Sequence, residues 1–298
     1  MHSAISIAGL SKRFRRMDAL QELTLEVPEG SVFALVGTNG AGKTTTIKTV
    51  MNILKPTQGR ATVLGTDSRQ LGPRDFERIG YVSENQEMPD WMTVGYFLDY
   101  LKPFYPAWDA ARADELVKQF QLPRDRKLRH LSRGMRIKAA MASSLAYHPR
   151  LLVLDEPFGG LDPLVRDEVI EGLIDSAGES TIFISSHDLA EIESFATHIG
   201  YIAEGRLQFA EEMASLSARF REVEVTLAQP SQLPSPWPDH WLRPESSPAV
   251  VRFVESRFES AGTQDKIRNL FGDVKDVTAY PMALRAIFVT LAKSGARV

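Results

Sequence analysis

The sequence predicts an α/β fold, and three stretches predict it. An apolar run, Ser31 to Val36, leads into Gly37-Thr38-Asn39-Gly40-Ala41-Gly42-Lys43-Thr44-Thr45. A second apolar run, Leu151 to Leu154, ends in Asp155-Glu156-Pro157. A third, Thr181 to Ser185, ends in Ser186-His187-Asp188. Short uninterrupted apolar strands suit a parallel sheet covered on both faces, and such sheets bind ligands at the C-terminal ends of their strands.

The first stretch fits the spacing Gly, any four residues, Gly-Lys-Thr, placed between a strand and a helix over Thr45 to Leu54. That context defines a phosphate-binding loop. Glycines let the backbone bring its N–H groups close to an anion, and the helix N-terminus adds positive potential there. Lys43 supplies a point charge for β- and γ-phosphates, and the Thr44 hydroxyl is placed to ligate Mg²⁺. At the end of the second run, Asp155 suits a Mg²⁺-bound water, and Glu156 suits orienting or deprotonating an attacking water. His187 reads either as a structural histidine or as a sensor of the γ-phosphate.

The totals set bounds. The chain has 298 residues, 43% hydrophobic and 24% charged, an ordinary globular composition for one large domain or two modest ones. A net charge of −3 gives no reason to expect nucleic acid as a partner. The sequence has no cysteine, which excludes disulfides and thiolate metal sites. Met1 to Ile7 lacks a signal-peptide layout, and no run reaches the ~18 apolar residues of a membrane span. Any membrane role is therefore expected to run through a partner.

In chain order, residues 4–10 and 20–27 alternate as antiparallel strands, with Phe14 in a basic loop between them. Phe14 is either a packing residue or a face for stacking adenine. Short strands follow at Gly59 to Leu64 and Ile79 to Val82, the latter ending in Ser83-Glu84-Asn85-Gln86. From about 87 to 148 apolar residues recur at helical spacing, which predicts a helical insertion. Within it, Leu131-Ser132-Arg133-Gly134-Met135 opens a slim, alanine- and serine-rich helix. Ser132 caps it, either as an ordinary cap or as part of a second anion site. Gly159-Gly160-Leu161-Asp162-Pro163 is a turn before a helix from Val165 to Ala177. A helix over Leu189 to Ala196 precedes two strands, with Glu204-Gly205 as their hairpin turn. After about 215 the pattern becomes a small α+β domain, 216–298, with a proline-rich irregular loop at 229–248. Trp237 and Trp241 in that loop mark either a contact surface or local packing.

The order of these motifs closely resembles the ATP-binding subunit of ABC transporters over roughly residues 1–215. The resemblance implies a P-loop NTPase of ABC type, with an antiparallel β subdomain and a helical insertion beside the mixed sheet. Phe14 then matches the adenine-stacking aromatic, and Gly37 to Thr45 the Walker A loop. Asp155 and Glu156 match the Walker B aspartate and catalytic glutamate, Asp162 the D-loop aspartate and His187 the switch histidine. Ser132 and Gly134 match signature positions, which in the family contact ATP bound by the opposite protomer. The expectation is a head-to-tail dimer, with a second copy or a paralogue, around two Mg-ATP that drives an integral-membrane permease, as a cytoplasmic chain held on the inner face of the membrane. The short tail resembles the extension of exporter-type ATPases that act with a separate permease.

Two departures stand out. The family usually has glutamine where this chain has Glu84; a carboxylate still ligates Mg²⁺ or positions water but adds negative charge near the phosphates. Gln86 substitutes only if the loop shifts. The signature has Arg133 where many members have glycine. The alternative function is a soluble ABC ATPase acting on ribosomes or DNA, which the single motif set and mild acidity disfavour. A P-loop kinase or GTPase conflicts with the signature and with His187.

Overall fold

The computed structural model describes residues 2–84, 86–178, 180–229 and 233–294. The chain divides into two compact units, Met1–Ala210 and Glu211–Val298, where the motif pattern alone had suggested a change at about 215.

In the first unit, β1 (Ser3–Phe14) and β2 (Met17–Pro28) form a hairpin. Both strands run further than their alternation suggested, so Phe14 closes a strand instead of lying in a loop. β3 (Val32–Val36) enters the phosphate loop, and α1 (Lys43–Val50) leaves it. β4 (Gln58–Val63) and β5 (Thr66–Asp67) return to the hairpin and complete a sheet of order β2-β1-β4-β5. A single turn, α2 (Pro73–Phe76), precedes β6 (Ile79–Ser83).

The insertion holds α3 (Val94–Leu101), α4 (Ala110–Gln119) and α5 (Arg133–Leu145). α5 buries almost every residue from Ile137 to Leu145, which its small side chains permit. The Tyr147 hydroxyl donates to the Ile79 carbonyl at 2.9 Å and ties the helix end to β6. β7 (Leu151–Asp155), α6 (Pro163–Ala177), β8 (Thr181–Ser186), β9 (His198–Ala203) and β10 (Arg206–Glu212) follow. Where a helix was expected over Leu189 to Ala196, the chain makes a 3₁₀ turn at Leu189–Glu191, capped by the Asp188 side chain, followed by hydrogen-bonded turns through Phe195.

The central sheet has the order β10-β9-β3-β8-β7-β6. Its parallel register decides the site. Val36 pairs with Ser186, Asp155 with Ser185, and Ser83 with Asp155. The residues after four strands therefore emerge at one edge. Glu204 and Gly205 turn the β9–β10 hairpin, both with positive φ (50° and 74°) as a tight primed turn requires. Its tip is stitched down: Gly205 N donates to the Ala41 carbonyl at 2.9 Å, and Gln21 N donates to the Gly205 carbonyl at 2.8 Å.

The second unit contains α7 (Met213–Arg219), β11 (Arg221–Leu227), β12 (Trp241–Ser247), β13 (Val250–Glu255), α8 (Ser260–Phe271), β14 (Val274–Pro281) and α9 (Leu284–Ser294). Its antiparallel sheet has the order β12-β13-β11-β14. The proline-rich stretch thus hides a strand, β12, within what had looked irregular. Trp241 is buried and stacks on Phe253 at 4.2 Å between ring centroids, with Trp237 edge-on to both. Both tryptophans are packing residues. Trp241 Nε1 also donates to the buried Glu255 carboxylate at 2.6 Å.

Trp241→Ala should remove this ring packing and that donor together, at a cost of about 3–5 kcal/mol. In calorimetry the transition of the second unit should fall by roughly 10 °C or more. A shift of under about 3 °C would show that the ring cluster does not organise this unit.

Candidate functional site

β3 delivers Gly37 to the sheet edge, where its N–H donates to the Ser186 carbonyl at 3.3 Å. The loop closes at Gly42, whose φ of 113° is open to glycine and whose added Cβ would sit 2.8 Å from the Ala19 carbonyl oxygen. α1 starts at the next residue, so its unpaired N–H groups face the loop's concavity. Lys43 Nζ turns back over the loop and donates to the Gly37 carbonyl at 2.7 Å and the Thr38 carbonyl at 3.1 Å. It lies 3.0 Å from Glu156 Oε1, and its side chain is only 4% exposed. A buried ammonium needs such pairing.

Thr44 Oγ1 donates to Asp155 Oδ1 at 3.0 Å, and Ser185 Oγ donates to the same oxygen at 2.8 Å. Burial pushes the Asp155 carboxyl above the usual carboxylate range, and these two hydrogen bonds pull the other way. A hydroxyl and a carboxylate directed at each other are hard oxygen donors that fit Mg²⁺. Among the described residues no group of three or more His, Cys, Asp or Glu is placed to hold a metal ion by itself.

Glu156 adopts φ 50°, unusual for a residue with a Cβ. Its N–H donates to Ser185 Oγ at 3.0 Å, which holds this conformation. The carboxylate then bridges two side chains, with Lys43 on Oε1 and His187 Nδ1 on Oε2 at 2.6 Å. That hydrogen bond raises the His187 pKa above the ordinary histidine value. Glu191 stands behind it, buried, accepting the Ser186 hydroxyl at 2.6 Å.

A cavity of about 580 Å³ lies at this edge. Phe14, Asn39, Gly40, Gly42, Lys43, Thr44, Thr45, Glu84, Glu156 and His187 all line it. Gly37, Thr38 and Ala41 shape the loop backbone around Lys43. Phe14 faces the cavity half-exposed, with Lys12 Nζ 4.9 Å from its ring centroid, so it is not a buried packing residue. Glu84, not Gln86, lies at the cavity. The Gln86 side chain instead accepts from Ser83 N at 3.4 Å and borders a groove toward the helical insertion.

Ser132, Gly134 and Asp162 lie away from the cavity. Ser132 Oγ accepts from Met135 N at 3.3 Å and caps α5. Asp162 Oδ1 accepts from Val165 N at 3.1 Å and caps α6. Gly134 lets the two helices touch: an added Cβ would stand 2.3 Å from Val165 Cγ1. Two participants escaped the sequence reading. One is Ser185, a polar residue at the end of an otherwise apolar strand. The other is the ion pair of Arg133 with Glu84.

A family profile described as ABC transporter matches residues 20–159. A bacitracin transport ATP-binding protein of Enterococcus faecalis is 30% identical over 74% of this chain and 73% of its own length. The chain is an ATP-binding ATPase subunit of the ABC transporter family. An uncharacterised ABC transporter ATP-binding protein of Synechocystis is 32% identical over 72% of this chain, which spans 62% of that relative's length. Among solved structures, an ATP-binding subunit of an ABC transporter superposes with a TM-score of 0.66 at 25% identity, covering 72% of this chain and 92% of that one.

The His187–Glu156 pair has a defined pH signature. Because the histidine pKa is raised, the pair's contribution is complete below the ordinary value near 6.5 and is lost as pH rises through the raised one. An NMR titration should therefore place the His187 midpoint above that of an unperturbed histidine. Glu156→Gln should bring it down. A wild-type midpoint at or below the ordinary value would refute the ion pair.

Proposed function

We propose that this ABC ATPase subunit dimerises head to tail around two Mg-ATP and drives a separate membrane permease, as an exporter. The placement of Glu156 supports this reading most strongly. Its carboxylate sits at the mouth of the phosphate loop, oriented by Lys43 and His187, beside the Thr44–Asp155 pair.

In the proposed mechanism, the loop N–H groups and the N-terminus of α1 bind the phosphates, and Phe14 stacks on the base. Lys43 meets the β- and γ-phosphates and offsets charge that develops on transfer. Mg²⁺, held by Thr44, Asp155 and Glu84, would offset phosphate charge. Glu156 accepts a proton from a water aligned for in-line attack, and His187 holds that carboxylate in place.

Ser132, Gly134 and Asp162 complete the site from a second copy, which agrees with their lying away from the cavity within one chain. A groove of about 440 Å³ between the sheet and the insertion supports permease docking. Met51, Ile53, Tyr81, Phe97, Tyr100 and Tyr105 line it, and Ile53 and Tyr100 are about half exposed. Such an apolar, tyrosine-rimmed cleft suits a short amphipathic helix from a partner. No helix among the described residues is long and apolar enough to cross a membrane.

Glu156→Gln should lower ATP turnover by about 100-fold or more while leaving nucleotide binding in place. Tagged Glu156→Gln protein, incubated with Mg-ATP in detergent-solubilised native membranes, should then retain a multi-span membrane protein in stoichiometric amount. Recovery of ribosomal or DNA-bound proteins instead would overturn the transporter reading. Normal turnover in the mutant would overturn the role of Glu156.

A further inference from the structure

Three carboxylates crowd the sheet edge beside the phosphate loop, and each has its own compensation. Glu156 bridges Lys43 and His187, and Asp155 accepts two hydroxyls. Glu84 follows β6, its N–H donating to the Asp155 carbonyl at 2.9 Å. Among the described residues, its ion pair is with Arg133, the first residue of α5, through Nη2 and Oε1. The pair rests on the turn after β7. A Cβ on Gly160 would meet Arg133 Nη1 at 3.1 Å, and one on Gly159 would meet Glu84 Oε1 at 3.3 Å. Three segments that are distant in sequence thus meet at one salt bridge.

Its side chains are 44% and 36% exposed, and a solvent-facing pair adds little to folding stability. Its consequence is electrostatic. An unpaired Glu84 would place a negative charge at the rim of a cavity that takes polyphosphate, and a Mg²⁺ shared with Thr44, Asp155 and the phosphates would offset it only in part. We propose that Arg133 is a positioning residue for Glu84: its guanidinium offsets that charge and holds the carboxylate against the Gly159–Gly160 turn. The acidic residue after β6 and the basic residue opening α5 then act as one electrostatic unit. Arg133 stands between Ser132 and Gly134, so the pair also ties the phosphate cavity of one copy to the helix start proposed to face a second. The inference rests on Glu84 lying beside the nucleotide phosphates.

The test is a double-mutant cycle on the full chain, reading the affinity for a non-hydrolysable ATP analogue with Mg²⁺. Arg133→Gln should weaken binding about three- to fivefold in the wild-type background, and less than about 1.5-fold in the Glu84→Gln background. Arg133→Lys should recover most of the loss, and about 0.5 M salt should narrow it. The thermal midpoint should hold within about 2 °C across the set, since the pair is exposed. Equal losses in both backgrounds, or no loss in either, would overturn the proposal. Failure of the underlying site assignment has its own readout, analogue binding that is insensitive to Lys43→Ala.

Discussion

A buried ammonium must be met by oxygen, and much of the first unit is arranged to meet the one on Lys43. Two carbonyls of the loop and the Glu156 carboxylate surround it. The loop curls back on itself to aim those carbonyls, which requires the left-handed backbone at Gly42. Glu156 reaches the same ammonium only because β7 and β3 both pair with β8 in parallel, bringing their ends level. The positive φ at Glu156, held by Ser185, completes the approach. The strain of that residue is offset by two charged contacts on its own side chain.

The site's charge balance follows one logic with three solutions. Glu156 is met by an ammonium and an imidazole, Asp155 by neutral hydroxyls, and Glu84 by a guanidinium from another element. Burial lifts the Asp155 carboxyl while its two hydroxyl partners pull it back, and Glu156 sits between Lys43 and His187. His187 gains basicity from the same contact that orients Glu156. Geometry and protonation are therefore coupled at this pair.

Much of this was legible in the sequence because the signals were local. The phosphate loop is a spacing, and the strand ends are apolar runs closed by charged residues. Phe14 was ambiguous, since only the hairpin and its cavity show that the ring is exposed and not packed into a core. Ser185 was not legible, because a serine closing a strand does not announce which carboxylate it will serve. The Glu84–Arg133 pair joins residues 49 apart in sequence and exists only through the packing of α5 beside β6. β12 was hidden by Pro244 and its serines. It lies at the sheet edge, where a missing N–H costs no ladder bond on the open side. The stretch after Asp188 was read as a helix from its apolar residues, yet a capped 3₁₀ turn and the turns that follow it satisfy the same burial, with Ile192 fully enclosed.

The β9–β10 turn has a consequence for engineering. Hairpin tips are ordinarily the places where a chain accepts an inserted tag, a new terminus or a protease cut. This one is sutured to the loop at Ala41 and to β2 at Gln21, and an added Cβ on Gly205 would meet the Ala19 carbonyl oxygen at 2.8 Å. A label or circular permutation opened there would unfasten the strut behind the phosphate loop. The hairpin tip is thus structural framework and a poor site for modification.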